Sequence, residues 1–150
     1  FAFHPGGQFA YVINELGNTV TGFTYDAEKG VLKEVQSITT LPAGHKEPSY
    51  TAEVVVHPSG KYLYGSNRGH DSIAAYRIGE DGKLTVLAIV PSRGKGPQNL
   101  AITPDGQWLL CANMPGNNVI VFQIDPASGA ITAHGDPVEV PMASCIRWME

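Results

Sequence analysis

The classes of residue that this sequence has few of exclude several kinds of protein. It contains only 2 cysteines, Cys111 and Cys145, too few for a disulfide framework. No apolar run approaches the roughly 18 residues that a membrane-spanning helix needs. Lys and Arg total 10 against 14 Asp and Glu, without a basic cluster, so nothing predicts binding to nucleic acid or to a membrane. We predict a soluble cytoplasmic protein in which both cysteines are small buried hydrophobes.

Signatures of metal and cofactor sites are also missing. The cysteines lie far apart and the histidines fall on different faces, so no metal-ligand spacing appears. No Gly-x-Ser-x-Gly element is present. The segment 93–96 reads Arg-Gly-Lys-Gly, which lacks the phosphate-loop pattern but retains backbone N–H groups that an anion could contact. The sequence therefore predicts no cofactor and no metal.

A four-strand pattern occurs three times along the chain. Its tight turns are His4-Pro5-Gly6-Gly7, His57-Pro58-Ser59-Gly60 and Thr103-Pro104-Asp105-Gly106, at intervals of 53 and 46 residues. The same two intervals relate three asparagines and three aromatic residues: Asn14, Asn67 and Asn113, then Phe23, Tyr76 and Phe122. A fourth strand fits after each aromatic residue, and no segment shows a sustained helical period. Units of about 40–50 residues with four short strands are typical of β-propeller blades.

This repeat gives an all-β fold of four-stranded antiparallel blades. We predict blades over residues 1–41, 51–91 and 97–141, followed by a closing strand over residues 144–149. Propellers typically need about four to eight blades to close a ring. We therefore expect the chain to be the C-terminal part of one larger propeller, with the missing N-terminal blades as its partner.

Positions that are constant across the repeats are interpreted as scaffold. His4 and His57 belong to the tight turns and are predicted to bond nearby backbone. The position after each constant Asn differs, holding Glu15, Arg68 and Met114, on loops at the other end of the blades. A position that varies among the repeats is not needed for the scaffold, so it is the best candidate for a functional residue.

Three segments resemble a known family. They are residues 10–20 (AYVINELGNTV), 57–76 (HPSGKYLYGSNRGHDSIAAY) and 96–106 (GPQNLAITPDG). They are similar to the lactonase-type seven-bladed propeller family, which includes propeller-type 6-phosphogluconolactonases and carboxymuconate-lactonising enzymes. The resemblance implies about three of seven blades and hydrolysis of a small anionic lactone in the pentose phosphate pathway. It leaves open a cyclising reaction on a muconate. A non-catalytic propeller that binds a ligand or a protein is the alternative of another class.

The resemblance also implies site residues. The Glu of Asn-Glu-Leu matches Glu15 and the Arg of Ser-Asn-Arg-Gly matches Arg68, two members of a family cleft that also has a His and a second Arg. Those two precede Phe1 in the family pattern, so the chain alone is expected to be inactive. Gln98 stands where the family often has Arg.

For each candidate side chain, a structural role is the alternative to the functional one. Arg68 suits bidentate binding of a phosphate or carboxylate, or it pairs with Asp71 on its own loop. Glu15 is a candidate general base or acid, or it caps backbone N–H groups. Glu53 is a substrate-binding candidate that lines the channel, or it forms a salt bridge to Arg68.

Three further residues are candidates for contact with the substrate. His70 is suited to proton transfer or to binding backbone. His45, in the long connection between the first two blades, and Asn67, beside Arg68, complete the set.

Overall fold

The three repeats form three four-stranded antiparallel sheets in a computed structural model that describes residues 1–149. The first sheet contains β1 (Ala2–Phe3), β2 (Phe9–Asn14), β3 (Thr19–Asp26) and β4 (Val31–Thr39). The second contains β5 (Tyr50–Val56), β6 (Tyr62–Arg68), β7 (Ser72–Ile78) and β8 (Leu84–Pro91). The third contains β9 (Pro97–Ile102), β10 (Trp108–Asn113), β11 (Asn118–Ile124) and β12 (Ile131–Glu139). The predicted all-β architecture is confirmed, and residues 1–149 contain no helix.

In each sheet, the tight turn that the repeat predicted joins the first strand to the second. Gly60 donates its N–H to the His57 carbonyl at 2.8 Å, and Gly106 bonds Thr103 in the same way. The φ angles of these glycines are 72° and 73°, in the left-handed region that side chains disfavour. The turn therefore explains why glycine recurs at this position.

The sheets pack face to face around two cores. The first strands contact one another in order, β1 with β5 and β5 with β9, so they lie on the inner side of the assembly. The core between the first and second sheets includes Tyr11, Val20, Val54, Leu63 and Tyr76. The core between the second and third sheets includes Tyr64, Ile73, Leu109, Ile120 and Phe122.

Histidine hydrogen bonds join the tight turns of successive sheets. His4 Nε2 lies 2.9 Å from the Gly60 carbonyl oxygen, and His57 Nε2 lies 2.8 Å from that of Gly106. A carbonyl oxygen only accepts, so Nε2 donates in both cases. The interpretation of His4 and His57 as structural residues is confirmed.

Buried tyrosines make a second set of bonds between sheets. The hydroxyl of Tyr11 donates to the Gly82 carbonyl, and that of Tyr64 donates to the Gly129 carbonyl, both at 2.9 Å. Burial raises the pKa of Tyr11 to about 12, so the phenol stays protonated and able to donate. These bonds satisfy carbonyl groups that packing removes from water.

The closing strand predicted over residues 144–149 would pair with N-terminal blades that this chain does not contain. Residues 144–149 form no strand, because they have no backbone ladder partner within residues 1–149. The segment instead lies beside β9, where Ile146 N–H donates to Asn99 Oδ1 at 2.8 Å and the Trp148 indole donates to the Ile102 carbonyl. Cys145 is consequently exposed, and its predicted burial is wrong, whereas Cys111 is buried as predicted.

Within the described residues, no helix is long and apolar enough to cross a membrane.

Candidate active site

The asparagines that recur in each repeat shape the loops of the candidate site. Each side-chain amide donates to the residue five positions later, at 3.0 Å for Asn14 to Thr19 Oγ1 and 3.0 Å for Asn67 to Ser72 Oγ. Asn67 also donates to the Thr40 carbonyl and is fully buried. A substrate cannot reach a buried amide, so Asn67 is a loop-forming residue rather than the predicted substrate contact.

Glu15 and Arg68 form an ion pair between the first and second sheets. They occupy equivalent loops in neighbouring blades, and the fold brings these loops together, as their positions in the repeat predicted. The side chain of Arg68 is 29% exposed and that of Glu15 is 61% exposed, so solvent and small molecules reach both. The anticipated alternative for Arg68, a pair with Asp71, does not form.

Asp71 has a different role. Its Oδ1 accepts the N–H groups of Gly69 at 3.2 Å and Gly96 at 2.8 Å, which ties the Arg68 loop to the connection before β9. The Gly96 N–H is therefore occupied, and this backbone group of the 93–96 segment is not free to bind an anion.

The Arg68 guanidinium also contacts the second and third sheets. Nη2 donates to the Thr51 carbonyl at 3.2 Å, and Nη1 lies 3.5 Å from Gln98 Oε1. Its Nε is buried and has no hydrogen-bond partner among residues 1–149. Four of the five N–H groups of an arginine are on the two Nη atoms. The contacts to Glu15, Thr51 and Gln98 use three of them and fix the plane of the guanidinium, which leaves one Nη1 N–H for a ligand.

A pocket opens beside Arg68 between the second and third blades. Its volume is about 380 Å³, and its lining includes Tyr50, Arg68, Lys95, Gln98, Met114 and Pro115. Met114, at the third variable loop position, forms an apolar wall. Lys95 brings a second positive charge, and it forms no salt bridge within the described residues. The pocket combines two cations and an apolar wall with one carboxylate, Asp71, whose Oδ1 is already bonded to two backbone N–H groups, a setting suited to a small organic anion.

Glu53 bonds the third sheet rather than Arg68. Its Oε2 accepts a hydrogen bond from the side-chain amide of Asn99, so the anticipated salt bridge to Arg68 does not form. Glu53 is half-buried and lies on the innermost strand β5, as expected of a residue that lines the channel.

His45 and His70 pack against each other and do not line this pocket, although Gly69 and Asp71 on either side of His70 do. Their rings meet edge to face with centroids 4.8 Å apart, and His70 Nδ1 pairs with Ser72 Oγ at 2.7 Å. Burial lowers the pKa of His70, the neighbouring His45 lowers it further, and Asp71 opposes the shift. Neither histidine lines the pocket beside Arg68. They remain candidates only for an indirect role.

Sequence reasoning missed two residues of this region, Asn99 and Lys95. Asn99 lies 46 residues after Glu53, so the repeat interval itself aligns the two and could have indicated their contact. The signal for Lys95 was the pair of cationic residues in segment 93–96, which the sequence analysis considered only for its backbone N–H groups. Among the described residues, no group of three or more His, Cys, Asp or Glu side chains is placed to hold a metal ion.

Comparisons with known proteins show the family of this chain. The family model described as "Lactonase, 7-bladed beta-propeller" matches residues 1–148. A 6-phosphogluconolactonase of Bacillus subtilis is 30% identical over 149 residues, which cover 99% of this chain and 43% of that protein. A 6-phosphogluconolactonase of Formosa agariphila is 38% identical over 135 residues, covering 87% of this chain and 37% of that protein.

Solved structures show the same likeness. A putative 6-phosphogluconolactonase from Bacteroides uniformis superposes with a TM-score of 0.88 at 35% identity, covering 96% of this chain and 41% of that one. A periplasmic gluconolactonase from Pseudomonas aeruginosa gives a TM-score of 0.91 at 28% identity, covering 97% and 40%. The chain thus spans less than half the length of the relatives it matches.

Proposed function

The chain belongs to the seven-bladed β-propeller lactonase family, and we propose that the full-length protein hydrolyses 6-phosphogluconolactone, with Arg68 binding the anionic group and Glu15 activating water. The observation that carries this proposal is the Glu15–Arg68 ion pair at the edge of a pocket that also contains Lys95. Relatives named 6-phosphogluconolactonase support the choice of a phosphorylated lactone. The names of these relatives do not support the alternative reaction, the cyclisation of a muconate.

The ion pair suggests that substrate binding releases the Glu15 carboxylate for catalysis. A phosphate dianion that approaches Arg68 competes with Glu15 for the same guanidinium, because planar arginine binds either group through paired N–H donors. Displacement frees the Glu15 carboxylate to accept a proton. The second cation, Lys95, offsets the extra negative charge that the phosphate brings into the pocket.

The reaction then needs one proton to be moved. The oxygen of a water molecule bonds to the lactone carbonyl carbon while Glu15 takes one of the water's protons. The bond between that carbon and the ring oxygen breaks, and the ring oxygen takes the proton from Glu15 to become a hydroxyl group. The product is the open-chain acid, and Glu15 returns to its ionised form.

The direct test is turnover by the full-length protein. Hydrolysis of 6-phosphogluconolactone should exceed the spontaneous rate, and glucono-δ-lactone, which lacks the phosphate, should be turned over with a higher KM. A rate equal to the spontaneous one for both lactones would refute the enzymatic function. Equal KM values for the two would refute the assignment of a phosphorylated substrate.

Cellular location remains a prediction. The sequence favours the cytoplasm, where sugar phosphates are made, while one structural relative is described as periplasmic.

A further inference from the structure

Glu53 and Asn99 form a polar contact between the second and third sheets that the reaction above does not use. Asn99 is 3% exposed, and its Nδ2 donates to Glu53 Oε2. Its Oδ1 accepts the N–H of Ile146 at 2.8 Å. Because a backbone N–H can only donate to the amide oxygen, the second contact fixes which end of Asn99 faces Glu53.

A β-bulge lies next to each of the two residues, Glu53 on β5 and Asn99 on β9. Strand β5 carries a bulge between Thr51 and Val54, and β9 carries one beside Asn99, where Gln98 has no partner on β10. A bulge adds one residue to a strand and changes the direction of the side chains around it. The inner strands β5 and β9 therefore interrupt the alternation of side-chain directions at equivalent positions. The Glu53 and Asn99 side chains beside these bulges contact each other.

This contact lies next to Arg68. The guanidinium donates to the Thr51 carbonyl, two residues before Glu53, and contacts Gln98, directly before Asn99. Glu53 and Asn99 do not line the pocket itself, but they follow Thr51 and Gln98 along the inner strands, so a ligand held on Arg68 reaches them only if it extends along these strands.

The Glu53 carboxylate keeps capacity to accept hydrogen bonds. Oε2 takes the bond from Asn99, while Oε1 receives only a 3.3 Å contact from the Val54 N–H. A carboxylate can accept about four hydrogen bonds, and those from hydroxyl groups are among the stronger ones. Asn99 holds this acceptor in one orientation, which is what recognition of a particular hydroxyl pattern requires.

We propose that Glu53, oriented by Asn99, binds hydroxyl groups of a polyhydroxylated substrate whose anionic group rests on Arg68. This inference builds on the proposed function, since it names the residue that reads the sugar part of the lactone. Glu53 contacts the substrate, and Asn99 is a positioning residue that acts through it.

Binding to the full-length protein tests this without any turnover. D-glucitol 6-phosphate carries both hydroxyl groups and a phosphate, whereas n-butyl phosphate carries only the phosphate. Calorimetry should give a lower Kd for D-glucitol 6-phosphate. Glu53→Ala should raise that Kd about tenfold, the cost of losing a hydrogen bond to a charged group, and change the n-butyl phosphate Kd less than twofold. Equal Kd values in the wild type, or equal losses for both ligands, would overturn the proposal.

An exchange of the two residues separates binding from a purely structural role. The double variant Glu53→Asn/Asn99→Glu keeps the charge and can remake the hydrogen bond with donor and acceptor exchanged. We expect the longer, charged side chain at buried position 99 to lower the melting temperature, and the folded variant to bind D-glucitol 6-phosphate about tenfold more weakly. Recovery of wild-type affinity would show that the contact only joins the sheets.

A conservative variant guards against misfolding of the exchanged pair. Glu53→Gln still accepts from Asn99 but lacks the charge, so it should fold as wild type does and bind D-glucitol 6-phosphate several-fold more weakly. Unchanged affinity in this variant would overturn the proposal. A wild-type protein that binds as expected yet hydrolyses no lactone would refute the proposed function and leave this assignment standing.

Discussion

Arg68 on the second sheet forms an ion pair with Glu15 on the first, across 53 residues of sequence. Neither residue has this partner on its own blade, so the pair depends on the packing of one blade against the next. Both side chains remain partly exposed. A pair of this kind at the surface stabilises a fold by only about 0–1 kcal/mol, so substitutions at either residue should disturb the fold little and allow the proposed roles to be tested.

Replacing Arg68 should mainly weaken substrate binding. Arg68→Ala in the full-length protein should raise KM for 6-phosphogluconolactone by about 10–100-fold, the range for lost hydrogen bonds to a charged group. The effect on kcat should be smaller, since the anion is held in the ground state and the transition state alike. Steady-state kinetics measures both quantities.

Arg77→Ala is the matched control, because Arg77 is exposed on β7 and takes no part in the site. An Arg68→Ala variant with the KM of Arg77→Ala would show that Arg68 does not bind the anion.

The histidine bonds between turns should matter for stability and not for catalysis. His57→Ala leaves the Gly106 carbonyl without its partner and should lower the free energy of unfolding by about 1–3 kcal/mol. His4 is more exposed, so His4→Ala should cost less. Urea unfolding of the full-length protein measures these losses, with Lys61→Ala beside the same turn as the control. A loss of kcat without a loss of stability would show that His57 serves the reaction.

His70 should make stability depend on pH. Its pKa is lowered from 6.5 in the folded protein, so the unfolded chain binds more protons as the pH falls below that value. The contribution of His70 to stability is thus complete above pH 6.5 and is lost as the pH falls towards its lowered folded pKa.

The His70→Gln variant should lose less stability than wild type between about pH 7 and pH 5, measured by urea unfolding at each pH. Identical pH profiles would mean that His70 titrates in the folded state as it does in the unfolded chain.

The repeat explains how much of this fold was predictable. Turn glycines, strand lengths and apolar positions are local requirements, so intervals of 53 and 46 residues were enough to place all three sheets. The meeting of Glu15 with Arg68 also followed from the repeat, because equivalent loops of adjacent blades lie side by side.

What could not be predicted depends on contacts between blades and on departures from the regular strand. The bulges beside Glu53 and Asn99 change side-chain directions that a period of two would set differently. The burial of Asn67 depends on the Thr40 carbonyl, 27 residues away. The closing strand over residues 144–149 stays a prediction, because its expected partner strands belong to blades outside this chain.

The turnover number of the Glu15→Gln variant tests the central claim most directly. In the full-length protein, with 6-phosphogluconolactone at saturating concentration, kcat should fall by about 10²–10⁴-fold, because glutamine cannot take the proton from water. Glu28→Gln, an exposed change on the turn between β3 and β4, should leave kcat unchanged. Wild-type kcat in Glu15→Gln would contradict the account, since Glu15 would then be a loop residue with no part in the reaction.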